Sequence, residues 1–184
     1  MDVLDAISSR RSHRAYQPKQ LDEETLSAIL KAGLEAPSAT NRQPWHFSVV
    51  QNAKLIQEIH DAAAQIFIAD SESRYHSLFQ KPGFQIFYHA PTVVFLFGDE
   101  SFPWTQVDCG IAVENMALAA EGLGVGSVIL GWPKPAFKGD RAAELKARLE
   151  CPDGYDFVVA LALGYATDQK NAHDLRFDNI SRIT

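Results

Sequence analysis

Apolar residues recur at helical spacing between positions 26 and 34, where Leu26, Ile29, Leu30, Gly33 and Leu34 fall on one stripe. Asp22 stands just ahead of them, and its side chain suits an N-cap because it can accept from a free backbone N–H of the first turn. Glu23 and Glu24 then face the positive end of the helix dipole, and Pro37 ends the element. Asp2 predicts a shorter helix that would bury Val3, Leu4 and Ile7. Asn52 predicts another cap, before a helix carrying Leu55, Ile56, Ile59 and Ala63. A fourth helical stretch, from about Gln106 to Glu121, puts Ile111, Ala112, Asn115, Met116 and Ala119 on one stripe. Its Gly110, Ala112, Ala117, Ala119 and Ala120 make it thin, so that another backbone could come close within the core or across a dimer interface. Asp140 would cap a last helix through Leu145 and Leu149, stopped by Pro152.

Between the helices lie four predicted strands. Phe47–Val50 alternates weakly. Thr92–Phe97, Ser127–Leu130 and Phe157–Leu163 are apolar on both faces, as strands covered from both sides are. Helices first, then strands alternating with helices, predict a three-layer arrangement, a sheet with helices on both faces. The chain reads as one domain over 1–184. The stretch 165–184 is a polar C-terminal extension whose few apolar anchors are Leu175, Phe177 and Ile180, and it would wrap along the body or a partner subunit.

Composition narrows the choice of function. The chain has 184 residues, 46% hydrophobic and 22% charged, with 17 Lys+Arg against 23 Asp+Glu and a net charge of −6. That balance argues against a non-specific nucleic-acid binder. No apolar run approaches the ~20 residues of a membrane helix, and the acidic start is unlike a secretory signal. The expectation is a cytoplasmic protein without nucleic-acid or membrane partners. Cys109 and Cys151 cannot build a disulfide scaffold. The six histidines fall in no recognised metal-ligand spacing, so no metal is expected.

Two segments carry candidate chemistry. Arg10-Arg11-Ser12-His13-Arg14 converges guanidinium groups in either a helical or an extended geometry, which suits a phosphate. The alternative is a solvated basic patch at a helix C-terminus. Ala36-Pro37-Ser38-Ala39-Thr40-Asn41-Arg42-Gln43-Pro44 is a proline-bracketed loop rich in uncharged hydrogen-bonding side chains. It could meet a ribityl chain or a ring carbonyl, or simply connect a helix to a strand. Gly122-Leu123-Gly124-Val125-Gly126 lacks the dinucleotide pattern, since position 127 is Ser, and reads as a helix stop.

Taken in order, these residues resemble the FMN-dependent nitroreductase family. The resemblance runs from Arg10-Arg11-Ser12 with Arg14, through Ala36-Pro37-Ser38 and Asn41-Arg42-Gln43-Pro44-Trp45-His46-Phe47, to Ala90-Pro91, then Asp108 with Gly110 and Asn115, then Gly122-Leu123-Gly124, and ends at Leu163-Gly164-Tyr165. It implies an α+β fold, a three-layer α/β/α sandwich around a central mixed sheet, and a homodimer with FMN at the subunit interface. Arg10 and Ser12, flanking Arg11, would hold the phosphate, and Arg14 would face the pyrimidine edge of the flavin and tune it. Pro37, Ser38 and Ala39 would approach from the other subunit, with Asn41 and Gln43 close by. The Ile129-Leu130-Gly131 backbone would run beside the ring, and Arg176 would return to the phosphate, with Lys170 or His173 as further candidates. One departure is His13, where the family usually carries an aliphatic residue; another is Leu130 in place of an acidic residue.

The resemblance also implies an activity: NAD(P)H reduces the flavin, and a small planar, electron-poor acceptor such as a nitroaromatic or quinone is reduced in turn. No catalytic residue is needed beyond Arg14, because the cofactor carries the hard chemistry. The aromatic segment 67–88, with Tyr75, Phe79, Phe84, Phe87 and Tyr88, would serve as lid and packing together. Competing readings are other flavin chemistry, such as reductive dehalogenation or dehydrogenation, a flavin-binding protein without turnover, and a non-flavin interaction domain.

Overall fold

The computed structural model describes residues 1–183. Its elements run α1 (Val3–Ser9), α2 (Glu23–Leu34), β1 (Trp45–Val50), α3 (Ala53–Ala69), α4 (His76–Phe79), β2 (Thr92–Asp99), α5 (Thr105–Gly122), β3 (Gly126–Leu130), α6 (Ala142–Arg148) and β4 (Tyr155–Gly164). The strands form one sheet in the order β1-β2-β4-β3. All three pairings are antiparallel. The parallel component of the expected mixed sheet is one bridge, Ser12 to Ser127.

The period-two alternation of the inner strands divides the core in two. Val93, Phe95 and Phe97 of β2, with Phe157, Ala160 and Ala162 of β4, face α3 and α6. Val94, Leu96, Leu161 and Leu163 face α2 and α5. A bulge opposite Leu96 and Phe97 lets both Val158 and Val159 pack on the α2–α5 side. Each face of the sheet is therefore covered, which is the three-layer arrangement.

Local signals in the sequence act where they were expected. Asp22 accepts from the Thr25 N–H at 2.8 Å, and Asn52 from the Leu55 N–H at 3.0 Å. Gly124, at φ 72°, ends α5. The thin face of α5 lies against α2, where a Cβ at Gly33 would sit 2.8 Å from Met116 Cγ.

Other expectations need correction. In α1 only Ala6 is buried; Val3, Leu4 and Ile7 are 65%, 72% and 55% exposed. A seven-residue helix resting on one neighbour can cover one stripe only, so its remaining apolar side chains face outward. Leu34 and Ile111 are likewise exposed; of the two courses expected for the tail, its anchors Leu175, Phe177 and Ile180 do not take the one along the body of their own chain. Asp140 caps nothing: α6 begins one residue further on, after Arg141, whose guanidinium is drawn to Glu58 and Glu144. Among the described residues, no helix is long and apolar enough to cross a membrane.

Candidate functional site

The basic segment 10–14 leaves α1 in extended form and lies along the open edge of β3. The His13 N–H donates to the Ser127 carbonyl at 2.9 Å. Further along, residues 15–17 meet the chain just beyond β4. Tyr16 bridges Ala166, the Gln17 N–H reaches the Tyr165 carbonyl at 2.8 Å, and the Thr167 N–H reaches the Ala15 carbonyl at 2.9 Å. Arg14 thus sits in an N-terminal strand-like segment that pairs first with β3 and then with a C-terminal strand-like stretch.

Strand periodicity now exposes a second polar group. The Ser127 carbonyl points to the open edge of β3, and groups two residues apart point the same way. The N–H and C=O of Ile129 therefore also face outward, and among the described residues no backbone group pairs with them there.

Arg14, Ile129, Leu130 and Gly131 come together on one cavity of about 350 Å³, whose other walls are Phe67, Tyr75, Tyr88 and Trp132. The Arg14 guanidinium lies 5.6 Å from the Tyr88 ring centre. Tyr88 and His89 both adopt left-handed backbone, at φ 55° and 58°, a strain of about 1 kcal/mol or more per residue. Buried Gln85 holds that turn, its side-chain oxygen accepting from the Phe87 N–H at 2.6 Å and the His89 N–H at 3.3 Å. Trp132 packs edge-on against Tyr75 at 4.7 Å and Phe67 at 5.6 Å. Phe79 stacks on Phe67 at 4.3 Å from beneath. The aromatic segment thus divides: Phe79 and Phe87 are core, while Tyr75 and Tyr88 face the cavity.

The remaining predicted residues lie elsewhere on the single chain. Arg10 Nε sits 3.5 Å from Glu114 on α5. Arg11 donates to the carbonyls of Ser8 and Arg10, at 2.7 and 2.8 Å, while its buried Nε has no acceptor among the described residues. The loop 37–43 folds on itself: Ser38 Oγ accepts from the Gln43 N–H at 2.9 Å, and Gln43 donates to Asn41 at 3.1 Å. Thr40, Asn41 and Gln43 all have positive φ. The loop is pinned by buried Asp108, whose carboxylate accepts from the Ala39 N–H at 3.2 Å. This loop does not line the Arg14 cavity. Arg176 is exposed and pairs with Asp178. Lys170 pairs with Asp168 at 3.0 Å, and His173 is exposed.

Sequence reasoning did not find Asp168 or Trp132. Asp168 Oδ1 lies 2.7 Å from His13 Nδ1, and its Oδ2 accepts from the Arg14 N–H at 3.0 Å. Partial burial alone would raise the Asp168 carboxyl, but these bonds and Lys170 outweigh it and hold it down at about 2. Burial, with the Asp168 charge nearby, keeps the Tyr16 hydroxyl protonated, and it donates to the His13 carbonyl at 2.7 Å. Cys109 is fully buried, and burial pushes its thiol up to about 12, so it is inert.

Known proteins resemble this chain along nearly its whole length. The nitroreductase family profile matches residues 7–165. A protein of Methanothermobacter thermautotrophicus, provisionally named an NADH dehydrogenase/NAD(P)H nitroreductase, is 33% identical over 95% of this chain and 83% of its own. A Desulfitobacterium hafniense nitroreductase, solved with bound FMN, superposes with a TM-score of 0.93 at 34% identity, covering both chains completely. An iodotyrosine deiodinase of Thermotoga neapolitana is 27% identical over 91% of this chain and 90% of its own.

Proposed function

The chain belongs to the nitroreductase family, and on that footing we propose that it is an FMN-dependent oxidoreductase. It takes reducing equivalents from NAD(P)H and passes them to a small, planar, electron-poor acceptor such as a nitroaromatic or a quinone. The observation that carries this reading is one cavity in which a guanidinium and an unpaired strand-edge amide meet flat aromatic walls.

The residues present fit such a cofactor. A planar heterocycle with a polar edge needs donors along one rim and flat apolar surface on its faces. Arg14 and the outward Ile129 N–H supply the first, and Tyr75, Tyr88 and Trp132 the second. A phosphate needs several donors, and Arg10, Ser12 and Arg11, whose buried Nε has no acceptor among the described residues, are consecutive in the chain just upstream. When bound, FMN would supply the two-electron hydride chemistry that no side chain here can perform. Arg14 would offer a positive charge to the pyrimidine edge, an electrostatic role that needs no proton transfer. The Ile129-Leu130-Gly131 backbone, which lines the cavity, would run beside the ring, and the aromatic walls would exclude water and orient a flat acceptor.

Two copies complete the site in this reading. Pro37, Ser38, Ala39, Asn41 and Gln43 lie away from the cavity on their own chain, so they would reach the cofactor of a second copy. Arg176 would swing from Asp178 to the phosphate. The exposed Val3, Leu4 and Ile7 of α1, and Val107 and Ile111 of the adjoining α5, supply apolar surface for that contact.

The test is the visible spectrum and mass of the purified protein, followed by NAD(P)H oxidation with and without an added acceptor. A yellow dimer whose NAD(P)H oxidation depends on a nitroarene or quinone is expected. Colourless protein that refuses FMN would overturn the reading. Turnover of an iodophenol in place of both acceptors would point instead to reductive dehalogenation.

A further inference from the structure

We propose that Asp168 is a positioning residue, carried on the C-terminal extension, that fixes Arg14 in its place on the cavity wall. This rests on the FMN reading above and adds a residue to it.

Asp168 lies 154 residues from Arg14 in sequence yet binds its backbone N–H directly at 3.0 Å. Its second oxygen takes His13 Nδ1 at 2.7 Å. One carboxylate therefore holds two successive residues of the basic segment, one by backbone and one by side chain. The ladder of Tyr16 with Ala166, and of Ala15 with Thr167, delivers it there. The His13 ring fits because β3 starts with a glycine: a Cβ on Gly126 would stand 3.3 Å from His13 Cδ2 and 2.7 Å from Ala166 Cβ.

Nothing in this arrangement makes Asp168 a catalytic group. It does not line the cavity, and both of its oxygens are engaged, by His13 on one side and by Arg14 and Lys170 on the other. It can act on the site only through the residue it holds. Fixing the Arg14 backbone limits where the guanidinium can point, and preorganised charge is more effective than mobile charge. His13 matters here because an aliphatic side chain at that position could not bond the carboxylate.

The test compares wild type, Asp168→Ala and Asp168→Asn, each alone and combined with Arg14→Ala. Native-state hydrogen exchange reads the clamp itself. The Arg14 amide should be protected in wild type, exchange on the order of tenfold faster in Asp168→Ala, and recover in part in Asp168→Asn, which keeps an acceptor oxygen. Fluorescence titration with FMN reads the consequence. Asp168→Ala should weaken FMN about tenfold when Arg14 is present and less than about twofold when Arg14 is already Ala, because contacting residues are not additive. Equal weakening in both backgrounds would mean Asp168 serves only the fold and would overturn the inference. Unchanged exchange at the Arg14 amide in Asp168→Ala would overturn it as well. If Asp168→Ala does not fold, the same comparison is made with Asp168→Asn, where smaller effects of the same pattern are expected. Wild type that binds no FMN at all would overturn the functional reading, and this inference with it, whatever the exchange data show.

Discussion

Gly126→Ala perturbs the junction on which the site depends, and its effect can be worked out from distances. The added methyl carbon would lie 2.7 Å from Ala166 Cβ, 3.3 Å from the Gly164 carbonyl oxygen and 3.3 Å from His13 Cδ2. Carbon atoms rest at about 3.5–4.0 Å, so Ala166 must retreat by roughly 1 Å. That retreat pulls on the Thr167 N–H to Ala15 carbonyl bond and on the 2.7 Å contact of His13 with Asp168. Overpacking of this kind costs about 1–3 kcal/mol. Replacing glycine also stiffens the unfolded chain, which returns about 0.4–1 kcal/mol. The net expectation is a loss of about 1–2 kcal/mol, or a Tm lower by about 2–8 °C for a chain of this size. Thermal unfolding followed by circular dichroism measures it. Gly122→Ala is the control, because nothing lies within 4 Å of its added carbon at the end of α5. That variant should hold or slightly raise Tm. A Gly126→Ala protein as stable as the control would refute the close packing of the extension on β3.

The aromatic wall should separate into packing and recognition. Phe79→Ala removes a buried ring and should cost about 3–5 kcal/mol, seen as a Tm drop of roughly 10 °C or more. Tyr75→Leu should instead raise the KM for the acceptor while Tm moves by only a few degrees. Acid titration gives a third check. Asp168 is held at about 2 in the folded chain, below its ordinary value, so its stabilisation is present above about pH 4 and is lost as pH falls towards 2. Stability measured by denaturant titration should fall less over that window in Asp168→Asn. The exposed face of α1 offers a fourth: Leu4→Lys with Ile7→Lys should shift sedimentation towards a single copy, and an unchanged dimer would place the contact elsewhere.

Much of this protein is written locally. Asp22 and Asn52 start their helices by bonds that span three residues, so the cap and the apolar stripe that follows can be read together. β2, β4 and most of β3 announce themselves by being apolar on both faces, since only a strand covered from two sides tolerates that pattern. The basic segment and the proline-bracketed loop are also visible, as residue types that suit an anionic, hydrogen-bonding ligand. Local pattern fails where several neighbours compete for a residue. Val3, Leu4 and Ile7 read as buried because they are apolar, but what covers them is not in their own vicinity. Asp140 is a good cap residue that lost its place when Arg141 was drawn to acids on two helices. The site itself belongs to tertiary structure. Phe67, Tyr88 and Trp132 meet only because α3, the strained turn at 88–89 and the end of β3 converge. Asp168 finds Arg14 only after the sheet has brought the two ends of the chain together. Bonds that close over three or four residues leave a signature in the sequence, whereas contacts that close over a hundred and fifty depend on every element between them.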